Sequence, residues 1–373
     1  MKKIISILLS LTLVLGLLAG CSTPAAEGES DSPAPSPSAS SGAGADTVLY
    51  TDNCGREVEI PTDPQRIATL YGPTFEASLL LGQADRVVAS MGGSLTAWAQ
   101  VVYPRAAEIA SINNPQTPNV EDLTALDVDL VLHWSTPDAL ENMENAGLTA
   151  LGLSAAEPTW STTDEYVQEV KDEYRTYATV LGGDAMERYQ LWEAYFDEKL
   201  EYLDSRIFTL SQEDYPTVYY IRSNENDGLQ AYLNHHGAEG EVMLAGGTLV
   251  TGDYDASGNS YGTVTMEDVI GWDPEIIILG RCTDTGMIYD NPAWSSITAV
   301  QNGDVYVGPN GVFYWDSSSE RVLNILWLAK LLHPDLFEDL DMVAEVQEYY
   351  STFYGYDLSE EQAELILAHQ DPA

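Results

Sequence analysis

Cations are scarce in this chain: 15 Lys and Arg stand against 59 Asp and Glu among 373 residues, a formal charge of −44. Two arginines nevertheless occupy matching places. Arg222 directly follows the apolar run Val218–Ile221, and Arg281 follows Ile276–Leu279 and Gly280. A guanidinium offers paired planar donors, so two of them at strand ends suggest a clamp for carboxylate, hydroxamate, propionate or oxyanion groups. The competing reading is local pairing with one of the many acids. Tyr71, Trp134, Tyr314 and Trp315 likewise stand in loops just past apolar runs. Flat apolar walls with a few placed charges suit an organic chelate or macrocycle; for each aromatic the alternative is ordinary loop packing. His133 ends the run Leu130–Leu132 and is read as a hydrogen-bonding cleft residue ahead of an axial metal ligand. His235 and His236 are adjacent, a poor spacing for a metal pair, and no resident metal or cofactor is assigned. Neither G-x-x-x-x-G-K-[ST] nor C-x-x-C occurs, and no carboxylate pair stands out for acid–base work. The chain is therefore read as a binding protein, not an enzyme, with a surface scaffold or a hydrolase as the reading from another class.

Such residues need a frame that gathers strand ends. Apolar runs at 66–70, 86–90, 130–132, 218–221, 276–279 and 304–307 alternate with helical stretches, which argues for parallel sheets covered on both faces. Between the two groups lies Asp184–Leu210. There Tyr189, Trp192, Phe196, Leu203, Ile207 and Leu210 form one stripe at steps of three and four, with a single gap of seven. Asp184 and Glu187 read as a capping box, and an unbroken helix of this length would span ~40 Å. An internal repeat flanks it. Glu121-Asp122-Leu123 leads through Asp127 to Leu130-Val131-Leu132; 146 positions later Glu267-Asp268-Val269 leads through Asp273 to Ile276-Ile277-Ile278. That period is too long for a solenoid and fits two lobes of like topology. The expected fold is α/β: two Rossmann-like lobes with mostly parallel central sheets, bridged by a long helix. Ligands of open α/β sheets sit beyond the carboxyl ends of the strands. Tyr71, His133 and Trp134 would then face Arg222, Arg281, Tyr314 and Trp315 across a cleft.

The first residues carry an address. Lys2 and Lys3 precede the apolar stretch Ile4–Leu18, which closes on Leu18-Ala19-Gly20-Cys21. This run is short for a membrane span and ends in small residues, so 1–20 is read as a signal peptide. The ending resembles the bacterial lipoprotein box, which implies lipidation of Cys21. Residues 21–46 are rich in Ser, Pro, Ala and Gly, the composition of a disordered tether. Removing the signal takes two lysines and no acids, leaving −46, so nucleic acid and anionic lipid are excluded as partners of the general field. Cys54 and Cys282 are expected as two unpaired thiols.

The whole mature chain resembles a family in its ordered series of short stretches: Thr51–Pro61, Pro64–Ile67, Leu81–Val88, Asn119–Leu123, Leu244–Gly247, Ala299–Tyr306, Leu326–Leu332 and Phe353–Gly355. It is similar to the substrate-binding lipoproteins of ABC importers for ferric siderophores, haem and cobalamin, a group that also includes carriers of molybdate or tungstate. The resemblance implies a monomer anchored at the outer face of the bacterial cytoplasmic membrane. Such a protein takes a small-molecule metal complex to a permease dimer with its ATPase. It also implies that Glu121 and Glu267, one on each lobe, dock onto arginines of the two permease subunits. The expected division is 47–160 for the N-terminal lobe, 161–212 for a helical linker containing the bridging helix 184–210, and 213–373 for the C-terminal lobe.

Overall fold

The computed structural model describes residues 46–154, 160–254 and 260–372. The signal segment, Cys21 and nearly all of the tether lie outside the described residues. The chain enters through an antiparallel hairpin, β1 (Thr47–Thr51) and β2 (Glu57–Pro61). A first sheet follows, built from β3 (Ile67–Thr69), β4 (Val87–Met91), β5 (Ala110–Ile112), β6 (Leu130–His133) and β7 (Ala150–Gly152). Its order is β5-β4-β3-β6-β7 and every pairing is parallel. The second sheet holds β8 (Thr217–Ile221), β9 (Gln230–Tyr232), β10 (Thr248–Leu249), β11 (Tyr261–Thr263), β12 (Ile276–Leu279) and β13 (Val305–Val307). There β8, β12 and β13 are parallel, β10 joins the start of β8, and β9 and β11 extend the edge by antiparallel pairing. The apolar runs of the sequence form β3, β4, β6, β8, β12 and β13. The strands without such a run, β5, β7, β9, β10 and β11, are three residues or fewer, and of these β5, β7 and β11 close sheet edges while β9 lies between β11 and β8.

The repeat is structural down to its turn. Asp127 and Asp273, equivalent in sequence, both take left-handed backbone with φ of 50° and 45°. A short acidic side chain tolerates this conformation at a helix end better than a bulky one. Two residues on, Asp129 accepts from the Gln65 and Arg66 amides at 2.8 and 3.0 Å, and its counterpart Glu275 accepts from the Thr217 amide at 2.8 Å. In both lobes one carboxylate thus ties a strand to the start of its neighbour.

Two helices, Thr163–Leu181 and Ala185–Ile207, run between the lobes. They are joined at Gly182 and Gly183, whose φ values are 66° and 59°. A side chain at Gly182 would put its Cβ 2.3 Å from the Thr62 carbonyl oxygen, so the turn needs glycine. The second helix buries Tyr189, Trp192, Phe196, Leu203 and Ile207, the expected stripe, while Leu210 falls beyond its end. Trp192 stacks on Phe196 at 5.2 Å and meets Tyr174 of the first helix at 4.6 Å. The capping box expected at Asp184 does not form, because its carboxylate instead accepts from Gln83 Nε2 at 2.6 Å.

Beyond the second sheet the chain folds back over the bridge through helices Arg321–Leu332, Met342–Tyr349 and Glu360–Leu367, with a wide turn at Tyr350–Tyr354. Arg188 of the bridging helix donates to the Leu80 carbonyl at 3.2 Å and the Phe353 carbonyl at 2.6 Å, tying this tail to the first lobe. One apolar cluster accordingly runs from Ile67 through Trp192 to Ile366. Among the described residues no helix is long and apolar enough to cross a membrane.

Candidate ligand-binding cleft

Parallel pairing of β8 with β12 sets Ile221 beside Leu279, and the exits therefore run side by side: the Arg281 amide donates to the Arg222 carbonyl at 3.2 Å. The two side chains nevertheless have different surroundings. Arg281 forks onto Asp316, with Nη2 2.6 Å and Nε 3.1 Å from the carboxylate, and Nη2 also donates to Ser317 Oγ at 2.9 Å. The Tyr314 ring covers the guanidinium at 4.4 Å. Burial would raise the Asp316 carboxyl, but the Arg281 charge and hydrogen bonds more than offset it and hold the group at about 2. Tyr232 donates to the same carboxylate. Arg222 instead lies over the Tyr261 ring at 4.0 Å and donates to Gln230 Oε1 at 3.3 Å.

On the first lobe Tyr71 and Trp134, past β3 and β6, are half-buried and meet edge to face at 5.6 Å. Burial, with the nearby Glu173 charge, raises the Tyr71 phenol well above its ordinary range, while Arg321 and Arg281 oppose it. Tyr71 also lines a cavity of about 270 Å³ with Asn53, Leu153, Glu173 and Tyr177. The lobes touch here. Thr96 donates to the Val312 carbonyl at 2.9 Å, and Phe313 packs against Gly72.

Two expected residues do not reach the cleft. His133 is fully buried, with Nδ1 and Nε2 each 2.7 Å from a backbone carbonyl, of Trp134 and Pro115. Both ring nitrogens are committed to the protein, so neither serves as an axial ligand. Trp315 is 1% exposed and belongs to the core cluster. It opens a short 3-10 turn, Trp315–Ser317, and the following helix begins at Arg321. Glu320, just before that helix, is buried and accepts from the Phe313 amide at 3.1 Å and Tyr350 Oη at 2.6 Å.

The sequence reading missed Tyr261, Asp316 and Arg321. Arg321 is buried, donates to the Ser318 carbonyl at 2.9 Å and faces Glu173 at 3.6 Å. Its signal, a third arginine close behind an exit loop, was masked by its place at the start of an apolar helix. One Gly-x-Ser-x-Gly pentad does occur, at 258–262. Its Ser260 leads into the edge strand β11, not out of a strand into a helix, so it is no nucleophile elbow. Among the described residues no cluster of His, Cys, Asp and Glu is placed to hold a metal ion, and Cys54 and Cys282 are free. A larger hollow of about 1200 Å³, bounded by Ile207, Thr217, Met243 and Trp272, lies at the starts of β8 and β10, away from the exits.

Glu121 and Glu267 are exposed in the first turns of Val120–Ala125 and Met266–Trp272. Each helix leads down into β6 or β12, so its beginning lies on the side where those strands end. Both glutamates therefore stand on the face where the exits gather.

Known proteins share this architecture. The chain is 24% identical to the uncharacterized ABC transporter substrate-binding lipoprotein YvrC of Bacillus subtilis, across 91% of this chain and all of that one. It is 24% identical to the molybdate-binding protein MolA of Haemophilus influenzae, over 83% of this chain and 91% of MolA. The molybdate-bound MolA structure superposes with a TM-score of 0.72, at 22% identity, covering 84% of this chain and 99% of MolA. The Ni-His complex of Helicobacter pylori CeuE superposes at 0.69, with 21% identity, covering 86% of this chain and 99% of CeuE. Residues 67–311 match the periplasmic binding protein family, two-thirds of the chain including both sheets, and the protein belongs to that family.

Proposed function

We propose that this binding protein captures an iron complex, a ferric siderophore or related chelate, between its lobes and delivers it to an ABC permease dimer with its ATPase. The observation that carries this reading is the pair of adjacent strand exits bearing Arg222 and Arg281, with Tyr314 on the same lobe and Tyr71 and Trp134 on the other. Anionic donor atoms of a chelate would meet the guanidinium edges, and its organic frame the rings. Delivery would use Glu121 and Glu267, and the lipid on Cys21 would keep the protein at the outer face of the membrane. Haem and cobalamin suit the same walls. A second reading, an oxyanion such as molybdate, is favoured by the similarity to MolA.

Protein purified from its native host tests both readings by absorption spectroscopy and mass spectrometry after denaturation. A released organic metal complex absorbing in the visible is the expected result; bound molybdenum without organic ligand would select the oxyanion. With the released ligand in hand, Arg222→Ala and Arg281→Ala should each weaken binding by about 1.5–3 kcal/mol, the range for hydrogen bonds to charged groups.

A further inference from the structure

The two exit arginines are not electrically equivalent. Arg281 is neutralised where it stands by the buried Asp316, which Tyr232 helps to hold, and Ser317 Oγ accepts from the same guanidinium. The buried Arg321 faces Glu173 at 3.6 Å. Arg222 is half-buried and has no carboxylate within ion-pair distance among the described residues; its neighbours are the Tyr261 ring and the neutral Gln230. Gln230 is itself fixed, accepting from Ser223 Oγ and donating to Glu225 at 2.7 Å. Tyr261 is 44% exposed on the edge strand β11, so the stacked pair presents a flat surface to solvent.

We propose that Arg222, shelved on Tyr261, is among the described residues the one uncompensated cation of the cleft, and that the site therefore selects a metal complex with a single anionic edge over a free dianion such as molybdate. This rests on the proposed function, whose ligand site it shares. The physics is a charge balance. A dianion entering a half-buried site with one net positive charge leaves a desolvated negative charge without a partner, and such a charge is costly. A single anionic edge is matched by Arg222, while Arg281 still donates hydrogen bonds without adding net charge. Tyr261 acts as a positioning residue. Stacking holds the guanidinium plane in one orientation, which lysine at 222 would not reproduce.

The first measurement needs no ligand. Phenylglyoxal modifies free guanidinium groups, and peptide mass spectrometry of the purified full-length protein reads each arginine separately. Arg222 should be modified at least tenfold faster than Arg281, and Asp316→Asn should narrow that ratio. The second uses two ferric trihydroxamate probes that differ at one end, succinylated and acetylated ferrioxamine B, with charges of −1 and 0, alongside molybdate. Tryptophan fluorescence should show the succinylated probe binding at least tenfold more tightly than either other. Arg222→Ala should abolish the preference. Tyr261→Ala should weaken the succinylated probe severalfold and Tyr261→Phe should restore it, with melting curves confirming that each variant is folded. Equal labelling of the two arginines, or molybdate binding as tightly as the succinylated chelate, would overturn the assignment while leaving the cleft in place. If neither the chelates nor molybdate bind the unmodified protein, the proposed function itself falls.

Discussion

At the scale of single residues, the most consequential feature is a set of buried carboxylates where the lobes meet. Glu76 of the first lobe accepts from the Ser319 amide at 3.2 Å, from Tyr354 at 2.7 Å and from Tyr174 at 3.3 Å. Nearby, burial pushes Glu320 up to about 8, the Glu76 charge adding to the effect while bonds from Tyr350, Phe313 and Val312 oppose it. Burial likewise brings Glu241 to about 8 against the pull of Arg321. A carboxyl whose pKa is raised on folding contributes stability that is complete below its unfolded value and lost as pH rises through its folded one. Glu320 and Glu241 should therefore cost the protein stability between about pH 4.5 and 8. His236 works from the other side. Burial lowers it to about 3 from an ordinary 6.5, so its contribution is present above pH 6.5 and lost as the pH falls towards 3. We expect Glu320→Gln to match the parent in denaturant unfolding at pH 5 and to exceed it at pH 9 by a few kcal/mol, at ~1.4 kcal/mol per pKa unit. Parallel pH dependences in variant and parent would show that this carboxyl does not titrate across the range.

The elements that decide the architecture are the paired linker helices and the glycine turn between them. Their stripe of Tyr174, Trp192 and Phe196 is buried from both sides, but the pairing angle depends on a turn that approaches the hairpin exit at Thr62. Gly182 and Gly147 both have positive φ, of 66° and 84°, but Gly182 also has ψ of −156°, a region essentially reserved for glycine. A Cβ at Gly147 would meet nothing within 4 Å, whereas at Gly182 it would sit 2.3 Å from a carbonyl oxygen. Gly147→Ala should cost only the left-handed backbone penalty, about 1–2 kcal/mol. Gly182→Ala adds a backbone clash and should cost at least ~2 kcal/mol more, an overpacking effect of ordinary size. Equal losses in urea unfolding would mean that the turn shifts freely and does not set the helix pairing.

For the whole molecule, the pseudo-twofold repeat is the feature with a consequence for transport. Residues 121 and 267 open equivalent helices at the exit side of the two sheets, and a twofold permease would be met by such a pair, as interface symmetry requires. Acids in a first helical turn also complement the helix dipole without any partner, so the two roles must be separated by experiment. Charge pairs at an interface chiefly set association rate and register. Glu121→Ala combined with Glu267→Ala should leave the purified protein's ligand affinity unchanged and reduce whole-cell uptake at least tenfold. Normal uptake would exclude the docking role, while lost ligand affinity would assign the glutamates to the fold or the cleft.

Much of this protein was legible in its residues because the responsible physics is local. Stripe periodicity revealed the bridging helix, and apolar runs revealed the central strands. The 146-residue repeat reached as far as the matched left-handed Asp127 and Asp273. Short strands such as β9 and β11 left no such trace, since three residues at or beside a sheet margin need no apolar run. The site divided in the same way. That Arg222 and Arg281 stand at matching strand exits of one lobe followed from sequence position, while the sheet order made those strands neighbours. That Asp316 neutralises one and Tyr261 shelves the other depended on contacts between segments 35 and 39 residues apart. His133 and Trp315 were misplaced for the same reason: burial at a strand end is set by what packs over it, here the Pro115 loop and the core behind the exit loop. Tertiary structure alone decided these points, because charge compensation and burial arise between segments distant in the chain, where no spacing rule operates.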